Sequence, residues 1–90
     1  MLITFEGTEG AGKSTLIRLV EKKLKKLGYQ VTVTREPGGN ALGEKIRSII
    51  LNETMNRWTE LFLYEAVRSE HLEAIILPAL RKNHIVLCDR

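Results

Sequence analysis

Eight consecutive residues, Gly7-Thr8-Glu9-Gly10-Ala11-Gly12-Lys13-Ser14, fit the pattern G-x-x-x-x-G-K-S/T in full. Each fixed position has a chemical reason. Glycines let successive backbone N–H groups turn inward around phosphate oxygens, and the N-terminus of a following helix adds a dipole that favours an anion. Lys13 would reach the β- and γ-phosphates of ATP, the Ser14 hydroxyl would ligate Mg²⁺, and Thr15 would complete the run of ATP contacts that begins at Gly7. Asp89 closes an apolar run, the position from which a carboxylate assists Mg²⁺ in such sites. Four arginines, Arg35, Arg47, Arg68 and Arg90, offer planar guanidinium forks suited to bidentate phosphate contacts. Each feature also has a plainer reading: a glycine turn capping a helix, an aspartate in a turn, arginines as surface charge.

These groups need elements to position them. Residues 1–5 are apolar and β-prone and run straight into the glycines, which reads as a strand entering a turn. A helix over 13–27 follows, with Leu16, Leu19, Val20, Leu24 and Leu27 expected on one apolar face and Gly28 beyond its end. Residues 30–34 alternate valine and threonine as a second strand, stopped by Pro37-Gly38-Gly39. A short helix over 42–51 and a long one over 59–80, disturbed near its end by Pro78, lead to a third strand over 84–88. Strand, helix, strand implies a parallel crossover, so the expected class is α/β, a parallel sheet covered by helices. The arginines then fall at the strand ends or on the helices beyond them, where open α/β sheets bind ligands.

Composition narrows the field. The chain has 90 residues, of which 43% are hydrophobic and 28% charged, enough for one modest core. No apolar run approaches the roughly 20 residues of a membrane span, so no membrane role is expected and the cytoplasm is the default address. Cys88 is the only cysteine, which excludes an intrachain disulfide and reads as a core thiol. The net charge of +3 comes with Lys22, Lys23, Lys25 and Lys26 clustered on one helix, without interleaved aromatic residues. That pattern is a solvated helix face, so no nucleic-acid partner is expected.

Four segments carry a resemblance that covers essentially the whole chain. They are Phe5-Glu-Gly-Thr-Glu-Gly-Ala-Gly-Lys-Ser-Thr15, Thr34-Arg-Glu-Pro-Gly-Gly39, Tyr64-Glu-Ala-Val-Arg68 with Glu70-His-Leu72, and Leu87-Cys-Asp-Arg90. In order and spacing they resemble the motifs of bacterial thymidylate kinases. The resemblance implies a P-loop fold of the nucleoside-monophosphate-kinase type, of which residues 1–90 are the N-terminal part of a single domain. The lid and the remaining strands follow the Asp-Arg motif in that family. It also implies transfer of the γ-phosphoryl of ATP to dTMP with Mg²⁺, and a homodimer formed through the helices.

Carried over residue by residue, the resemblance implies that Glu9 contacts the sugar 3′ oxygen of dTMP and Pro37 shapes the wall of its pocket. Arg35, Arg47 and Arg90 would hold the acceptor phosphate, while Tyr64 stacks on thymine and Arg68 bonds its carbonyl oxygen. Lys13, Glu9, Asp89 and Arg90 would then form the catalytic set. Independently of the family, Tyr64 and Arg68 stand four residues apart on an expected helix, so they share a face. Two departures stand out: the family usually has Phe where Tyr64 stands, and some members carry a loop arginine where this chain has Gly10. Three rivals remain at this level: another small-molecule kinase on the same cradle, a non-catalytic nucleotide-binding module, and a nucleic-acid binder resting on net charge alone.

Overall fold

The structure, a computed structural model, describes residues 1–7 and 12–90. In chain order its elements are β1 (Leu2–Phe5), α1 (Lys13–Lys26), β2 (Val31–Arg35), α2 (Ala41–Asn52), α3 (Arg57–His71), a wide π-type turn (Leu72–Ile76), α4 (Leu77–Arg81) and β3 (Ile85–Asp89). All three strands are parallel, in the order β1-β3-β2. The crossover from β1 through α1 therefore reaches β2 with one strand position left between them, and β3 fills it.

The sequence of β3 explains why it is central. Ile85, Val86, Leu87 and Cys88 are all buried, and a strand with helices on both faces needs a continuous apolar run rather than an alternating one. Ile85 and Leu87 pack with Ile17 of α1, and Val86 packs on the other face with Ile76 and Ala79. Ile3, Phe5, Val20, Leu24 and Val31 extend the first cluster. Among the described residues no helix is long and apolar enough to cross a membrane.

Two expectations need correcting. The buried side of α1 is Ile17, Val20 and Leu24, whereas Leu16, Leu19 and Leu27 are exposed. Apolar residues occupy more of this helix's circumference than three strands can cover, and a spacing of three then four residues selects the stripe that reaches β3. The long helix over 59–80 is disturbed, as expected, but over Leu72–Ile76, ahead of Pro78 and of its last turn. Pro78 has no N–H to give and its ring would strike the carbonyl four residues earlier. The chain widens just before it: the Leu77 N–H bonds to the Leu72 carbonyl, five residues back, and Pro78 stands second in α4, in a first turn where no N–H is required. The helix also begins earlier than expected, because the Asn56 side chain accepts from the N–H groups of Trp58 and Thr59 at 3.0 and 2.9 Å. Lys22, Lys23, Lys25 and Lys26 are exposed as expected, with Lys25 paired to Glu21 one turn away.

The strands end level with one another. Phe5 and Arg35 are both in register with Asp89. The residues just beyond are tied across the sheet: the Glu36 N–H donates to the Asp89 carbonyl at 2.7 Å, and the Arg90 N–H to the Phe5 carbonyl at 2.9 Å. This edge presents Glu6, Glu36 and Arg90 side by side.

Since Leu87 is completely buried at the middle of the central strand, Leu87→Ala is expected to lower unfolding free energy by about 2–5 kcal/mol in a urea titration. A loss well under about 1 kcal/mol would mean that β3 is not the core of the fold.

Candidate active site

Gly7 and Gly12 both have positive φ, 144° and 79°, and Gly12 is the N-cap of α1 in the left-handed region that a side chain disfavours. Among the described residues no side chain caps this helix start, which leaves its first N–H groups open to an anion. Ser14 and Thr15 stand exposed in its first turn. The expected contacts of Thr8, Glu9, Gly10 and Ala11 lie outside the described residues.

Lys13 turns back over the sheet edge. Its Nζ makes an ion pair with Asp89 Oδ1 at 2.7 Å and donates to the carbonyls of Gly7 at 3.0 Å and Arg90 at 3.2 Å. One ammonium thus joins the start of the glycine turn to the end of β3. Ser14 and Asp89 border the same cavity, together with Thr34, Arg35, Gly39 and Glu44. A hydroxyl and a carboxylate are hard oxygen donors, the kind Mg²⁺ selects, so the two residues fit that ion.

Arg35 and Arg47, expected at the acceptor phosphate, are placed around Glu44. Arg35 makes a forked pair with it, Nε to Oε1 at 3.0 Å and Nη2 to Oε2 at 2.8 Å. The Gly39 N–H also reaches Oε1, at 3.3 Å. The Arg35 hydrogen bond first, and then the one from Gly39, hold the Glu44 carboxyl below the usual range, with a smaller contribution from the charge of Arg47. Arg47 is half-buried on α2.

Pro37, Tyr64, Arg68 and Arg90 come together in a second cavity of about 200 Å³, closed by Val67 and Glu36. Tyr64 and Arg68 do share one face of α3, as their spacing requires. Glu36 organises this cavity, and no role for it was read from the sequence. Its Oε2 lies 3.3 Å from Arg90 Nε and 3.7 Å from Arg68 Nε, while its Oε1 lies 3.0 Å from His71 Nδ1. Arg90 also approaches Glu6 at 3.5 Å, and Arg68 approaches Glu65 at 3.6 Å. His71, equally unforeseen, is completely buried and bonds Thr34 Oγ1 through Nε2 at 2.6 Å. The available signal was its place four residues after buried Val67, an inward position where a polar side chain needs partners.

Gly39 makes room for this arrangement. A Cβ there would lie 2.9 Å from His71 Nε2 and 3.1 Å from Thr34 Oγ1, at a φ of +99°. Cys88 adds a thiol to the cluster: a ligand atom from each of Glu36, His71 and Cys88 lies within 4.8 Å of the other two. Two guanidinium groups already compensate Glu36, and burial, helped by the Glu36 charge, pushes the thiol up to about 11. Both effects oppose a cation, and the cluster reads as an ion-pair network rather than a metal centre.

The raised thiol has a measurable consequence. Below its ordinary value of 9.0 the group is neutral folded or unfolded, while between 9.0 and about 11 only the unfolded chain ionises it. Stability should therefore fall as pH rises through that window, and Cys88→Ala should flatten the fall. Folded protein should also resist alkylation near pH 8 until denaturant is added. Rapid labelling of native protein would contradict the burial.

The sequence model of the thymidylate kinase family matches residues 5–90. Thymidylate kinase from Pelobacter propionicus is 54% identical over 91 residues, covering 98% of this chain and 42% of that protein. The Acinetobacter baumannii (strain AYE) thymidylate kinase is 54% identical over 94 residues, covering all of this chain and 47% of its own length. The chain therefore spans about half the length of the curated relatives it matches. A crystal structure of thymidylate kinase from Ehrlichia chaffeensis superposes with a TM-score of 0.91 at 40% identity, over the whole of this chain and 53% of that one. With Gly7, Gly12 and Lys13, the Asp-Arg strand end and the arginine-lined cavity grouped at one edge of a parallel sheet, this chain belongs to the thymidylate kinase family.

Proposed function

We propose that the protein carrying this chain transfers the γ-phosphoryl group of ATP to dTMP, giving dTDP, by in-line displacement without a covalent intermediate. One observation carries the reading. Lys13 Nζ holds both the Asp89 carboxylate and the Arg90 carbonyl, so the phosphate cradle and the arginine-lined cavity meet at a single strand end. Two phosphorylated ligands bound on either side of it would present donor and acceptor to each other, which is most of what phosphoryl transfer asks of a protein.

Each residue then has a chemical task. Lys13 exchanges its contacts at the strand end for the β- and γ-phosphates, and the loop residues Gly7 to Gly12 supply backbone donors. Ser14 and Asp89 would hold Mg²⁺, which would supply neutralisation of the phosphate charge there. Arg90 faces the acceptor phosphate, with Arg35 adding positive charge from the neighbouring cavity and Arg47 adding it from α2, near Glu44. Tyr64 offers its ring to the thymine, Arg68 hydrogen-bonds its carbonyl oxygen, and Pro37 walls the pocket. Glu9 is assigned to the 3′ hydroxyl. Residues 1–90 make up the N-terminal part of one kinase domain, with the lid and the remaining strands after Arg90. We place the protein in the cytoplasm, where the Cys88 thiol stays reduced.

We propose a homodimer through the helices. Its support is the row of exposed apolar side chains on the packed pair α2 and α3: Leu42, Ile49, Trp58, Leu61 and Phe62.

A coupled assay of ADP release with Mg·ATP tests the reaction. Release should require dTMP, with dUMP and dCMP poorer acceptors, and Lys13→Ala should lower kcat about 10²–10³-fold. Equal rates without any acceptor would reject the proposal. The dimer is tested by light scattering on the full-length protein. A mass of twice the monomer is expected, falling to one monomer in Phe62→Glu.

A further inference from the structure

We propose that His71 is a positioning residue of the acceptor pocket: its imidazole fixes the Glu36 carboxylate, and Glu36 in turn sets the directions of Arg68 and Arg90. The inference rests on the reading of that cavity as the dTMP site.

The chain of contacts is continuous and short. A carboxylate can only accept, so His71 Nδ1 carries the hydrogen and donates to Glu36 Oε1 at 3.0 Å. At the other side of the ring Nε2 meets the Thr34 hydroxyl at 2.6 Å, which prevents the imidazole from swinging. The ring is completely buried against the Gly39 backbone, where even a Cβ would collide with it, and its two nitrogens are both bonded, which fixes its orientation. With Oε1 held, the second oxygen of Glu36 has a fixed place between the Nε atoms of Arg90 and Arg68, at 3.3 and 3.7 Å. Both guanidinium groups belong to exposed or half-exposed side chains, and their other carboxylate partners, Glu65 for Arg68 and Glu6 for Arg90, are themselves exposed. Glu36 is only 14% exposed, and among the described residues its carboxylate is the single group that touches both arginines and the buried ring. Among the described residues His71 lines neither cavity; it reaches the acceptor pocket through Glu36 and the neighbouring cavity only through the Thr34 hydroxyl and the Gly39 backbone.

The test uses the full-length protein with three substitutions. His71→Leu removes both ring contacts; His71→Asn keeps an amide N–H where Nδ1 stands; Thr34→Val keeps the ring and removes its anchor. His71→Leu should raise KM for dTMP about ten- to hundredfold, the scale of a lost hydrogen bond to a charged group, with KM for ATP changed less than about twofold. His71→Asn should return KM for dTMP to within about threefold of the parent, and Thr34→Val should fall between, which keeps the test open if His71→Leu does not fold. A purely structural role would move both KM values together and would not be rescued by asparagine. In parallel, the Nε–H signals of Arg68 and Arg90 are followed by NMR without ligand. They should be slow to exchange in the parent and in His71→Asn, and fast in His71→Leu. Unchanged arginine signals and an unchanged KM in His71→Leu would overturn the inference, as would equal failure of His71→Asn and His71→Leu. If the parent binds no dTMP while the arginine signals still respond to His71→Leu, the assignment of the acceptor fails and the positioning role stands.

Discussion

The level ending of three parallel strands is the constraint on which the site depends. Phe5, Arg35 and Asp89 lie in one register, and the backbone bonds from Glu36 to Asp89 and from Arg90 to Phe5 hold the next residues in the same row. Arg35, Glu36, Asp89 and Arg90 sit on that row, and Lys13, Glu44 and Arg68 reach it from helices. Shifting β3 by one residue would turn Leu87 and Val86 to the wrong helices and reverse the faces of Asp89 and Arg90 with them. The buried apolar run of β3 therefore secures the geometry of the site as well as the stability of the fold.

Charge at this edge is closely compensated. Lys13 meets Asp89, Arg35 meets Glu44, and Arg68 and Arg90 share Glu36. Among the described residues no buried polar side-chain atom lacks a hydrogen-bond partner. Such compensation holds cationic side chains near one another, where they would otherwise repel, and keeps them directed at a place where a phosphate can replace a carboxylate. Most of these pairs are partly exposed, so their value lies in orientation more than in stability.

The helix that carries Tyr64, Val67, Arg68 and His71 serves two surfaces at once. Val67 and His71 point inward, while Tyr64 and Arg68 border the cavity. The π turn after His71 lets the helix pass Pro78 and still lay Ile76 and Ala79 on Val86. Without that wide turn, the proline would end the helix before it reached the sheet.

Much of this was legible in the residues themselves. The glycine turn, the three strands, the helices that join them and the grouping of Tyr64 with Arg68 follow from spacing and periodicity, because those depend on near neighbours in the chain. The strand order, the stripe of α1 that is buried and the widening before Pro78 do not follow, because each depends on which surface another segment offers. The same division applies to the site. Lys13, Asp89 and Arg90 stand in motifs whose types announce phosphate chemistry, whereas Glu36, Glu44 and His71 matter through partners 35, 9 and 37 residues away. A single buried imidazole between Thr34 and Glu36 exists only after β2 and α3 have packed, and local sequence carries no record of that meeting.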